Sequence, residues 1–186
     1  MIARFVVFAA LFVVACASPP RGAQRVAVAP GVTMELPAPA ALGRSVEAVQ
    51  LVTARRDGEI FAFEARLSAT PERLLLVGTD AMGRRLMRVV WQDGGLSVER
   101  ADWLPEAVRP ENVLADVMLL YWPEEALRPG LSGAALDGGS GRHLRRDGEE
   151  VVVIAYDGDP WQGGAVLRNL AWGYEIEVRS ALVGPP

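Results

Sequence analysis

The chain has 186 residues, 51% of them hydrophobic, with a formal net charge of -4 and a single cysteine, Cys16. One cysteine excludes an internal disulfide and any multi-cysteine metal centre. A mildly acidic chain is a poor polyanion binder, so nucleic acid is not an expected partner. All 19 basic residues are arginine, which base composition of the genome explains more simply than phosphate recognition.

The first 15 residues form an apolar run interrupted only by Arg4, too short for a comfortable bilayer span, which needs roughly 20 residues. The run ends in Val13-Val14-Ala15-Cys16, the pattern of a bacterial lipobox: aliphatic, aliphatic, small, then the cysteine that takes the lipid. Residues 1–15 therefore read as a lipoprotein signal peptide, with Cys16 carrying diacylglycerol after cleavage. Loss of Arg4 takes the charge from -4 to -5, because residues 1–15 hold no acid. Ala17 stands where an aspartate would mark inner-membrane retention, so the expected place is the outer membrane, facing the periplasm. Residues 16–42, with Pro19, Pro20, Pro30, Pro37 and Pro39, read as a lipidated N-terminus and extended tether. A single domain is expected over 43–186.

From Ser45 onward the pattern is that of antiparallel strands separated by turns. Ser45 to Arg55 alternates imperfectly and stops at Asp57-Gly58, a strong hairpin signal. Glu59 to Ser68 alternates cleanly, with Phe61, Phe63, Ala65 and Leu67 on one face. Arg73 to Thr79 is almost wholly apolar, as a strand covered on both faces would be. Arg85 to Gln92 puts Met87, Val89 and Trp91 on one face, and Asp93-Gly94 turns the chain into Leu96, Val98 and Arg100. The period then changes. Pro110-Glu111 opens a helix in which Val113, Leu114, Val117, Leu120 and Tyr121 share a face, and Pro123 ends it. Glu124 to Arg128 makes a second short turn. Strands resume at Leu131 to Leu136, Arg142 to Arg146, Glu150 to Tyr156, Ala165 to Ala171 and Tyr174 to Ala181. Asp147-Gly148 is a further hairpin signal. The fold expected is mainly β: one curved antiparallel sheet forming an unclosed barrel of about nine to eleven strands, with a helical lid.

The residues that could carry chemistry are few. His143 is the only histidine and sits in a polar strand, so it reads as a surface residue. Ser132 in Gly130-Leu131-Ser132-Gly133 lacks the second glycine of a nucleophile elbow. Asp147, Asp157 and Asp159 lack calcium-loop spacing and read as turn formers. Glu124-Glu125 and Glu149-Glu150 read as solvated caps and strand ends rather than a hydrolytic pair. What exceeds background is the supply of large apolar side chains on inward faces. Phe61, Phe63, Met87, Val89, Trp91, Val117, Tyr121, Ile154, Leu167 and Ile176 are the candidates for lining a ligand cavity, with Val152 and Val178 on the same faces. The alternative is that these side chains fill the core, and that an outer face scaffolds a partner at the outer membrane.

Several segments together resemble a family of Gram-negative lipoproteins, domain of unknown function 3261. They are the lipobox at Cys16, the Pro/Ala stretch, Leu42-Gly43-Arg44-Ser45, and Leu114-Ala115-Asp116 ahead of Trp122-Pro123. To these belong Tyr156-Asp157-Gly158-Asp159-Pro160-Trp161, the most specific piece, and Leu170-Ala171-Trp172-Gly173-Tyr174. That family is similar in architecture to LolA and LolB, the periplasmic carrier and outer-membrane receptor of lipoproteins. The resemblance implies an unclosed barrel whose helices lid an apolar cavity for acyl chains, and no catalytic residue. It implies as partners a hydrophobic lipid or lipoprotein acyl chain and a Lol-type carrier protein. Association of the family with gene clusters for aryl polyenes implies the moving or anchoring of such a molecule. Trp103-Leu104-Pro105 would stand where LolB presents an apolar side chain to the membrane. The expected protein is a monomer without catalytic activity, metal or cofactor beyond the lipid on Cys16.

Overall fold

The structure, a computed structural model, describes residues 24–184. The expected signal peptide, Cys16 and the first part of the expected tether lie outside these residues. Two meanders make up the main sheet. The first runs through β3 (Val46–Arg56), β4 (Glu59–Ala69), β5 (Arg73–Thr79), β6 (Arg85–Gln92) and β7 (Gly95–Arg100), following β1 (Arg25–Ala29) and β2 (Val32–Glu35). After α1 (Pro110–Tyr121), α2 (Glu124–Leu127) and the short β8 (Leu131–Ser132) comes the second meander. It consists of β9 (Ala135–Gly138), β10 (Gly141–Arg146), β11 (Glu149–Asp157), β12 (Gly164–Asn169) and β13 (Tyr174–Leu182). The last strand pairs antiparallel with β3, from Tyr174 opposite Arg56 to Leu182 opposite Ala48. This single long-range pairing joins the meanders into one ten-stranded sheet, β7-β6-β5-β4-β3-β13-β12-β11-β10-β9. Its edge strands β7 and β9 do not pair with each other, so the barrel is open, as expected.

Three of the hairpins turn on Asp-Gly. Asp57 and Gly58 have φ 51 and 81°, Asp93 and Gly94 have 52 and 70°, and Asp147 and Gly148 have 52 and 86°. Two successive positive φ values are the signature of the tight turn whose twist matches that of the flanking strands, and Asp-Gly tolerates both.

The N-terminal segment corrects the expected tether. Within residues 25–42, β1 and β2 form a hairpin through Pro30-Gly31, and β8 adds to β2 to make a separate three-stranded sheet. Val26, Val28, Val32, Met34 and Leu36 are all buried, Val32 and Met34 completely. Of the prolines that suggested an extended tether, Pro30 occupies the turn, and Pro37 and Pro39 lie in the segment that leaves β2. That segment is tied down by two tryptophans: Trp91 Nε1 donates to Pro37 O at 2.8 Å and Trp122 Nε1 to Ala38 O at 3.3 Å. The domain therefore begins by Arg25, not at 43.

This small sheet changes the setting of α1. The helix covers the concave face of the main sheet, but it is itself covered by β1. Nine of its twelve residues are buried, including Ala115, Met118 and Leu119 on the side away from the expected stripe. A helix apolar all round is a core helix. Asn112 Nδ2 donates to Ala27 O at 2.7 Å and fixes its first turn to β1. At the other end, Tyr156 Oη donates to Leu120 O at 2.8 Å, and the Arg142 guanidinium donates to Leu119 O. These donors satisfy carbonyls that have no partner within the helix, and the arginine charge suits the negative end of the helix dipole.

One expected strand is broken in two. Leu131 to Leu136 divides between the two sheets at Gly133, whose φ is +85° and where an added Cβ would run into Gly31 O. Only glycine allows the backbone to approach so closely there.

A candidate ligand cavity beneath the central helix

The concave face of β3, β4 and β13 stands opposite the first three turns of α1, and residues 105–109 close part of the gap. Between them lies a cavity of about 570 Å³. Val52, Phe61, Phe63, Leu76, Ile176 and Val178 line it from the sheet, and Val113, Val117 and Leu120 from the helix. Alternation along the strands delivers the first set, and helical spacing delivers the second. The cavity opens towards the β3–β4 turn, where Arg56, Glu59, Glu106 and Arg109 stand.

Four of the ten candidate residues line this space: Phe61, Phe63, Val117 and Ile176. The other six do not. Met87, Val89, Trp91, Tyr121, Ile154 and Leu167 are buried in the packed core. The physical reason is the position of the helix. Its C-terminal half packs onto the second meander, with the tilted rings of Tyr121 and Trp161 4.2 Å apart between centroids, and the helix also packs on β6, the strand of Met87, Val89 and Trp91. Trp161, held by the turn in which Asp159 Oδ1 accepts from the Trp161 backbone N–H at 2.7 Å, sits at that far end. The space thus runs beneath α1 from Asn112 to Leu120 and stops short of Tyr121. Asp157 and Asp159 belong to that turn. His143 Nδ1 lies 2.9 Å from Glu150 Oε1 on the outer surface, away from the cavity. Ser132 is exposed in β8.

The sequence reading missed the polar wall of the cavity. Asp116, in the middle of α1, is 6% exposed and lines it together with Tyr174. Tyr174 Oη lies 3.1 and 3.0 Å from the two carboxylate oxygens and donates to them. Asn169, 1% exposed, holds this hydroxyl in place. Its Nδ2 donates to Tyr174 Oη at 3.2 Å and to Val28 O at 2.8 Å, and its Oδ1 accepts from the Trp172 backbone N–H at 2.9 Å. Burial pushes the Asp116 carboxyl up to about 7, against a smaller lowering by the Tyr174 hydrogen bond. Burial, with the nearby carboxylate, likewise drives the Tyr174 hydroxyl upward, so it stays a proton donor at neutral pH. Deeper in, Gln50 Nε2 donates to Ser180 Oγ at 3.2 Å, and Ser180 Oγ is 2.9 Å from Tyr121 Oη. One signal could have pointed to Asp116. It is the lone acid in the run from Val113 to Tyr121, three residues after Val113 and four before Leu120, which places it on the stripe that faces the sheet.

An open antiparallel sheet thus wraps around a buried helix, with a mostly apolar cavity between them. The chain belongs to a family of proteins of unknown function, DUF3261, whose model matches residues 47–181. Among solved structures, it is similar to a LolA superfamily protein from Nitrosomonas europaea, with 9% identity, 81% of this chain and 96% of that chain covered, and a TM-score of 0.46. It is also similar to a DUF1329 family protein from Desulfovibrio piger, with 6% identity, coverage of 75% and 85%, and a TM-score of 0.28. Comparison with curated proteins finds no match.

Proposed function

We propose that this protein binds the hydrocarbon chain of an amphiphile, an acyl or polyene lipid or a lipoprotein acyl chain, in the cavity beneath α1. In this reading it works without catalysis, tethered through lipid on Cys16 to the periplasmic face of the outer membrane, and serves transfer or insertion of its cargo. The observation that carries the reading is the cavity, whose 570 Å³ falls within the roughly 300–1,000 Å³ of ordinary ligand sites. Its walls are mostly aliphatic and aromatic. Each methylene moved into such a space gains about 0.8 kcal/mol, so a chain of about a dozen carbons contributes on the order of 10 kcal/mol before association costs. A scaffold with a filled core would leave no such space, so the cavity favours cargo binding over that alternative.

Native mass spectrometry of the full chain carrying Cys16→Ser, mixed with bacterial lipid extract, tests the reading. A one-to-one adduct of lipid mass on the folded protein is expected. A folded protein that stays at its bare mass across extracts would sink the proposal.

A further inference from the structure

We propose that Asp116 and Tyr174 form a recognition site for a protonated amine on the ligand, so that the cavity selects an amino-bearing amphiphile over a plain chain. This rests on the reading of the cavity as a site for a hydrocarbon chain. The first ground is an imbalance of donors and acceptors. An ionised carboxylate offers about four lone-pair sites, whereas a tyrosine hydroxyl has a single hydrogen. Tyr174 Oη is within hydrogen-bond distance of both Asp116 oxygens, yet its one proton serves at most one of them fully. No other protein hydrogen bond reaches the Asp116 side chain among the described residues, and no ion pair does. The hydroxyl cannot turn away, because Asn169 donates to it and is itself fixed by Val28 O and the Trp172 N–H. The acceptor capacity left over is on the cavity wall.

The second ground is charge. Among the described residues no ion pair neutralises Asp116. Of the arginines near the mouth, Arg55 is engaged by Glu175 and Glu177 on the outer face, Arg56 pairs with Asp57, and Arg109 lines the cavity without an ion pair to Asp116. A buried carboxylate without a cation is costly, and burial alone is enough to bring its titration near neutrality. A ligand hydroxyl would fill one lone pair and leave the charge. An ammonium brings three donors and the compensating charge together. The third ground is the surrounding rings. Phe61, Trp172 and Tyr174 line the same space, with Trp172 and Tyr174 stacked at 6.4 Å between centroids, and aromatic faces attract a desolvated cation.

Binding of dodecylamine, dodecanol and dodecanoate to the full chain, below their micellar concentrations and at mildly alkaline pH, separates the possibilities. The amine is expected to bind at least about tenfold more tightly than the alcohol, as a charge-assisted pair would give. Asp116→Asn, which keeps shape and can still accept from Tyr174, is expected to erase that preference by bringing the amine's affinity down to that of the alcohol. Equal affinities in the native protein, or a preference that survives Asp116→Asn, would overturn the inference while leaving the cavity reading intact. No binding by any of the three would remove both. Should Asp116→Asn fail to melt cooperatively, Tyr174→Phe decides. It leaves the carboxylate and removes its donor, so the preference for amine should rise, and its loss would count against the inference.

Discussion

A chain that begins at Gly43 is expected not to fold. Residues 25–36 contribute Val26, Val28, Val32, Met34 and Leu36 to the core, none more than 6% exposed. Burial of such a side chain is worth about 1.5–3 kcal/mol, so the five together supply roughly 10 kcal/mol, comparable to the whole net stability of an ordinary domain. The loss does not stop there. Without β1 and β2, α1 loses the strand that covers it and the acceptor of Asn112, β8 loses its partner strand, and Trp91 and Trp122 lose the acceptors at Pro37 and Ala38. Circular dichroism and thermal melting of chains starting at Gly43 and at Gln24 provide the check. The shorter chain should show no cooperative transition and the longer one a normal transition. A chain from Gly43 that melts cooperatively would show that the small sheet is an accessory.

The second large effect is a fall in stability as pH rises from acid to neutral. Burial raises the Asp116 carboxyl from 3.8 to about 7 in the folded protein. Below the unfolded value both states hold the proton, and the folded state bears no penalty. Between the two values the unfolded chain releases its proton while the folded protein keeps it. The unfolded state then binds fewer protons, so stability declines with pH until the folded carboxyl has ionised too. With about 1.4 kcal/mol for each unit of difference, the decline reaches up to about 4 kcal/mol. Asp116→Asn removes the titration, so its stability should be flatter across this window and exceed that of the native protein on the alkaline side. Glu150 acts in the opposite sense. Hydrogen bonds from Arg145, then from His143, hold its carboxyl below the ordinary value, so its contribution is lost only in acid. Urea unfolding at mildly acidic and mildly alkaline pH measures the difference. Parallel curves for the two proteins would mean that Asp116 is not buried in an uncharged setting.

Most strands were legible in the sequence because two local signals agree. Alternation assigned β3, β4 and β6 to their faces, and Asp-Gly marked the three tight turns that the φ values bear out. The helix was legible from Pro110, the apolar spacing and Pro123. Composition hid the small sheet: Val26, Val28, Val32 and Met34 alternate around Pro30-Gly31 as a hairpin should, but strands of five and four residues among prolines resemble a tether. The cavity was only partly legible for a different reason. Alternation says that Phe63 and Met87 both face inward, but not which of them meets the helix and which meets empty space. That depends on where α1 lies, and its position is set by β1, Trp161 and the capping of its last carbonyls, all distant in sequence. The carboxylate on the wall was visible only as one acid in an apolar helix, which burial on every side turns into a feature of the cavity.

The account rests above all on the cavity's holding a hydrocarbon chain, and Val117→Trp tests that most directly. Val117 is 7% exposed and lines the space from the helix, so an indole there occupies the cavity with the backbone in place. Overpacking of this kind costs about 1–3 kcal/mol, which a stable domain tolerates. Calorimetric titration with dodecanol should show saturable one-to-one binding to the native protein and none to Val117→Trp, with both melting cooperatively. Equal binding by the two proteins would place the ligand elsewhere and contradict the account.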